Sequence, residues 1–546
     1  MNHNKFFYFL LVTIGLLAAS CNKNESDETN PAPFAKSEES VGFHLGKRLD
    51  NPYSVENMQR AYDSLLARGQ INSTINITAT HLYIKLTPQD SSELNLIMSD
   101  TTLNLFPYPL DYELIGEGEY SFINNSESEL YTVIPIGHNM NGIPFSVLEY
   151  CFIPDDDAEN INPDLAQIEL ESLKLTHNIS AEELNELIPA RCILPPKQYP
   201  QGSVEVYDTY EHTNVGVQGV KVLVSWFVKI ASTYTNIDGS YSISTGFRYK
   251  THYSAIFRNS RGFAVWSNWG PVIPAIHHVG RHDCAGYDIV IGTGSQAWPW
   301  ATINNAACKY YDLICPHFGI PKPFEDGLRF WFLDIDPGND GKGCTPMLRH
   351  LHPNAMDLRT FIINFLHPIS EGQLTSIEAA VYVARFVTPD IFVVRHSIST
   401  VDLQSTVFHE MGHASHFTKV LSNYWFQYIQ EICFHNFDYG EVYDGSNGRV
   451  GIGEMWGYYF EDTCHNYVFP NDIVQRTSYS WFRPEVLHDI DEYFDGIYTP
   501  YHFFSALEGD VTNHLQYMER LISKYGNTAD INNLFNQYQN DLFVIH

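Results

Sequence analysis

The chain has 546 residues, of which 44% are hydrophobic, 14% aromatic and only 18% charged. That composition excludes a largely disordered polymer and, at roughly 100 to 200 residues per domain, calls for several packed units. The 64 Asp and Glu against 32 Lys and Arg give a formal charge of -32 with no basic stripe. This argues against a nucleic-acid partner, because that affinity comes from Lys and Arg displacing condensed counterions.

Residues 1–20 carry Lys5 and then an apolar run from Phe6 to Ala19. The run is too short to cross a hydrocarbon core of about 30 Å as a helix, so it reads as a signal peptide. Residues 21–39, rich in Asn, Ser, Glu, Asp and Pro, have the composition of a flexible tether. The small residues Ala18, Ala19 and Ser20 before Cys21 resemble a bacterial lipobox, with Leu17 one position earlier than usual. The resemblance implies cleavage before Cys21, lipidation of its thiol and membrane attachment through an N-terminal lipid anchor. Glu25, Asp27 and Glu28 resemble the surface-export signal of Bacteroidetes lipoproteins. This implies an outer-membrane lipoprotein exposed at the cell surface, with a periplasmic-facing one as the alternative. An exported chain meets oxidising conditions, yet eight cysteines beyond Cys21 allow many pairings. Only Cys308 with Cys315 is excluded, since seven residues of helix separate them by roughly 10 Å.

The predicted elements fall into three regions. Residues 40–200 read as an α+β domain, with a helix over Val55–Ala67 and a strand over His81–Leu86. The segment Leu103–Leu114 resembles N-terminal domains of Bacteroidetes surface lipoproteins. Residues 201–272 alternate with period two over Ser203–Asp208 and Gly219–Val224, and Asp238-Gly239 within Thr233–Ile243 is a hairpin turn signal. The opening Gly202-Ser-Val-Glu-Val-Tyr-Asp208 and the Asn236-Ile-Asp-Gly-Ser-Tyr241 turn resemble a carboxypeptidase regulatory-like domain. That resemblance implies a transthyretin-like β-sandwich with a spacer or binding role. Residues 273–546 hold a predicted helix over Trp300–Phe318, strands over Leu328–Ile335 and Ile391–Arg395, and a helix that opens near Thr400–Asp402.

The last of these helices carries His409-Glu410-Met411-Gly412-His413, the His-Glu-x-x-His signature of zinc metallopeptidases. Residues i and i+4 share a helix face, so His409 and His413 can both turn a ring nitrogen to one Zn2+. Glu410, about 100° around the helix, is placed to act as general base on a water. His416 lies too far along a straight helix to join His409 on one ion and is expected at the surface or behind the ligands. The stretch Glu454-Met-Trp456-Gly457-Tyr458 resembles the second ligand helix of gluzincins, which implies Glu454 as third zinc ligand. Glu461, Asp462 and His465 are the competitors. The acid that many gluzincins carry three or four residues after the ligand is replaced by Gly457 and Tyr458, so a partner for a zinc histidine must come from elsewhere, with Glu461 as candidate. Tyr458, His488, Tyr498, Tyr501 and His502 stay open as oxyanion donors.

The expected architecture is therefore multidomain α+β: an N-terminal α+β domain, a transthyretin-like β-sandwich and a zincin-like α+β peptidase domain able to hold zinc by itself. The expected activity is zinc-dependent hydrolysis of peptide bonds in proteins, glycoproteins or peptides outside the cell. The alternative is a non-catalytic glycan- or protein-binding surface lipoprotein with a vestigial zinc site.

Overall fold

The computed structural model describes residues 42–120, 129–179, 182–183, 194–267, 273–324, 327–333, 343–351, 389–394, 398–434, 445–474 and 480–538. The signal peptide, the tether and Cys21 lie outside the described residues, as do Cys192 and the side chain of Cys433. The fold is mixed α+β with several sheets.

In the first region β1 (His44–Arg48) leads to α1 (Val55–Ala67), β2 (His81–Leu86), α2 (Ser91–Ser99), β3 (Tyr112–Ile115), β4 (Leu130–Pro135), β5 (Phe145–Cys151), α3 (Asp156–Ile161) and α4 (Asp164–Leu175). The Ser54 hydroxyl accepts from Asn57 N at 3.1 Å, which satisfies one of the orphan N–H groups at the start of α1. Met58, Ala61 and Leu65, at helical spacing, bury against Leu165 and Ile168 of α4. Strands β4, β2 and β5 form an antiparallel sheet with β2 central, while β1 pairs with β3.

The next strands are β6 (Gln201–Asp208), β7 (Thr213–Gly216), β8 (Val220–Trp226), β9 (Lys229–Tyr234), β10 (Ser240–Ser242), β11 (Thr251–Asn259) and β12 (Ala264–Trp266). The turn expected at Asp238-Gly239 forms, but the strand after it does not close a hairpin with β9. Instead β10 crosses to pair with β6, Ser240 opposite Ser203. Gly239 makes the crossing feasible: its φ is 82° and a Cβ there would stand 2.4 Å from Val204 O.

Strand pairing does not stop at residue 272. Beyond it, β13 (Ile276–His282) pairs with β11 and β14 (Ile289–Ile291) pairs in parallel with β6. Then β15 (Arg329–Leu333) pairs in parallel with β12, and β17 (Ile391–Val394) lies between β15 and β16 (Gly343–Cys344). One sheet thus runs in the order β16-β17-β15-β12-β11-β8-β9 across both regions. On it packs α5 (Ala297–Lys309), which goes on through a π turn at Tyr310–Ile314 to a last turn ending at Phe318. The described cysteines Cys151, Cys284, Cys308, Cys315, Cys344 and Cys464 are all buried, and no disulfide joins any of them.

This pairing reverses the expectation for a fragment beginning at residue 273. Such a fragment strips β13, β14 and β15 of their partners β11, β6 and β12 and exposes apolar strand edges. It should aggregate or lack a near-UV circular dichroism signal, while a chain beginning at residue 42 unfolds in one cooperative transition. A soluble 273–546 fragment with cooperative thermal unfolding would refute this.

Candidate metal site

The signature lies on α6 (Thr400–Phe434), whose first turn is capped by Ser399: its hydroxyl accepts from Asp402 N at 3.2 Å. The first half of α6 is buried nearly all round, with Val407, Phe408, Met411 and Ala414 fully enclosed, so it lies inside the region and not on its surface. Against it packs α7 (Gly448–Val468), which carries Glu454. The two helices approach closely at glycines. Trp456 Nε1 donates to Gly412 O at 3.2 Å. A Cβ on Gly457 would stand 2.8 Å from His409 Cε1 and 2.9 Å from His413 Nε2, so only glycine leaves room for both imidazoles.

His409, His413 and Glu454 converge, with one donor atom from each within 4.8 Å of the others. The two Nε2 atoms are 3.0 Å apart, and Glu454 Oε2 and Oε1 lie 3.5 Å from His409 Nε2 and His413 Nε2 respectively. Donors on a tetrahedral zinc at 2.0–2.1 Å stand about 3.3 Å from one another, so the spacing fits such an ion. Glu454 is fully buried, and its Oε2 accepts no hydrogen bond from the described residues. An orphaned carboxylate oxygen between two imidazoles is a donor set suited to a cation.

The competitors for third ligand are used otherwise. Glu461 Oε2 accepts from His409 Nδ1 at 3.0 Å, which fixes the ring and leaves Nε2 as the donor toward the centre. Asp462 pairs with His488 at 3.2 Å, and His465 bonds Ser405 Oγ and Asp472 O. His416 is not at the surface: it is fully buried against Tyr424 and Trp425, both ring nitrogens lack a partner among the described residues, and burial holds its pKa well below the ordinary value. Among the oxyanion candidates, Tyr458 packs edge-on to His409, with ring centroids 4.7 Å apart. His488 is held by Asp462, Tyr498 accepts from Asn527, His502 caps its own short helix and Tyr501 is half exposed.

Electrostatics tie the cluster together. Burial alone would depress the His409 imidazole, but Glu454 and Glu461 outweigh it and raise its pKa well above the ordinary value. Burial would raise the Glu454 carboxyl, yet His413 and His409 hold it well below the usual carboxylate range. Glu410 goes the other way, its pKa raised by burial. Its Oε2 accepts from the Thr345 hydroxyl at 2.6 Å, and Gly343 on β16 makes room for Oε1, since a Cβ there would stand 2.7 Å away. Two groups at the site escaped the sequence reading. Thr345 is 65 residues from Glu410 in the chain, outside any motif. Tyr428, whose hydroxyl donates to Glu454 Oε1 at 2.6 Å, reaches the site only because α6 breaks at Leu421.

Comparison with family models, with curated proteins and with solved structures found no match.

Three substitutions test this geometry. Gly457→Ala forces a methyl against both imidazoles and should lower metal affinity at least tenfold in a chelator competition, with the far-UV circular dichroism unchanged. Glu461→Ala releases the His409 ring and should weaken the same affinity by about 10- to 100-fold, whereas Asp462→Asn should leave it unaltered. Equal effects of the two acidic substitutions would contradict the assignment.

Proposed function

We propose that the chain is a zinc-dependent peptidase of gluzincin type, in which His409, His413 and Glu454 hold the metal and Glu410 is the general base. The observation that carries the reading is the convergence of three buried donor atoms on facing helices, with a fourth buried side chain, Glu410, close enough to feel the charge of all three. Zinc bound there would supply Lewis acidity toward a water and a substrate carbonyl. The protein groups do the rest. Glu410 takes a proton from the attacking water onto its carboxylate and returns it to the leaving amine nitrogen, a task favoured by a carboxyl whose pKa burial raises above the ordinary carboxylate value. The Thr345 hydroxyl orients that carboxylate, and Glu461 keeps the His409 ring in one tautomer.

The substrates under this reading are proteins, glycoproteins or peptides outside the cell. Residues 201–272 serve as a transthyretin-like, carboxypeptidase regulatory-like module with no part in the chemistry, and Cys21 carries the lipid of an outer-membrane, surface-exposed lipoprotein.

The test compares wild type with Glu410→Gln on a complex proteome, with the new chain termini sequenced. Wild type should bind one zinc per chain and generate new termini. Glu410→Gln should keep its zinc and lose at least a hundredfold in cleavage, and His413→Ala should fall below half a zinc per chain. Ligand capture that a chelator leaves intact, with no cleavage by wild type, would instead favour a binding lipoprotein with a vestigial site.

A further inference from the structure

The helix that carries the two histidines does not run straight on. At Leu421 the backbone takes φ 67° and ψ 177°, a region that glycine occupies with ease and a leucine only under strain. The Leu421 side chain is 62% exposed, so it gains little packing in return. The break redirects the second half of the helix back over the cluster. Trp425, fully buried, donates from Nε1 to Thr345 O at 2.9 Å and stacks on Tyr428 with centroids 4.6 Å apart. Tyr428 in turn donates to Glu454 Oε1. Gly453 is shaped to this approach, since a Cβ there would stand 2.6 Å from Tyr428 Cε2.

The two oxygens of Glu454 would be near-equivalent without that hydroxyl, because each lies 3.5 Å from a different imidazole. A carboxylate so placed can bind a cation through both. We propose that Tyr428 is a positioning residue of the metal centre: by engaging Oε1 it leaves Oε2 as the single ligand atom, and so keeps the coordination number low enough for a water or substrate position to stay open. The inference rests on the reading of His409, His413 and Glu454 as ligands. It adds a role that no motif carries, and it gives the strained backbone at Leu421 a purpose. It also links the two ends of the site, since the half-helix that orients Glu454 through Tyr428 holds, through Trp425, the carbonyl of Thr345, the residue that orients Glu410.

The probe is Co2+ in place of zinc, whose visible d–d absorption weakens as coordination rises from four. Wild type should show the strong bands of a four-coordinate site. Tyr428→Phe, which keeps the ring stacked on Trp425 and loses only the hydroxyl, should show bands reduced severalfold in intensity and a zinc affinity 10- to 100-fold weaker by chelator competition. Tyr428→Leu also lacks the donor and should give the same spectrum, which separates loss of the hydrogen bond from loss of ring packing. Leu421→Gly takes the same backbone without strain, so it should leave the spectrum as in wild type. Spectra and affinities of both Tyr428 variants equal to wild type would overturn the proposal while leaving the ligand reading intact. A wild type that binds neither Co2+ nor zinc would overturn both.

Discussion

The crossing of two buried helices at glycine is the constraint on which the site depends. His409 and His413 can share one centre with Glu454 only if the second helix presents no side chain at the point of closest approach, and Gly457 is that point. The cluster then gathers three carboxylates, Glu410, Glu454 and Glu461, around two imidazoles in an interior where unpaired charge is costly. Protons or a cation must supply the balance. The opposite shifts of His409 upward and Glu454 downward are the protonic solution, and a divalent ion is the alternative that also uses the orphaned Glu454 oxygen.

What could be read from the sequence was whatever depends on spacing along one helix. The pair His409 and His413, the flanking Glu410 and the choice of Glu454 follow from periodicity and from the resemblance of its surroundings, and the described geometry brings all four together. Glu461 was legible as a partner for one of the two motif histidines because it lies two turns beyond Glu454, and it pairs with His409. Of the two places open to His416, at the surface or behind the histidine pair, the surface one fails, because the return of the chain after Leu421 covers it with Tyr424 and Trp425, a path that spacing along the helix does not encode. Thr345 and Tyr428 were out of reach for a related reason: each depends on a tertiary path that local propensity does not encode. A leucine with a positive φ answers to no turn rule.

The same limit applies to the sheets. Period-two alternation locates strands but says nothing of their neighbours. The turn at Gly239 was visible and the partner of β10 was not, because crossing between sheets is settled by burial on both faces. Likewise a boundary drawn where the short, turn-punctuated strands and the domain resemblance end missed the parallel pairing of β12 with β15. That pairing makes the upstream strands part of the support for α5 and α6, so the position of His409 and His413 is referred to a sheet that begins some two hundred residues earlier in the chain.

The π turn at Tyr310–Ile314 sets the phase of the last helical turn, Cys315–Phe318. A π turn holds one residue more than the α-helical turn it replaces, which advances the following residues by about 100° around the axis. With that offset Phe318 meets Phe460 at 5.9 Å and His317 stacks on Tyr467 at 3.9 Å, both on α7, the helix of Glu454. Remove the extra residue and both rings would swing off that face, so the azimuth of this last helical turn is locked to the helix that carries Glu454.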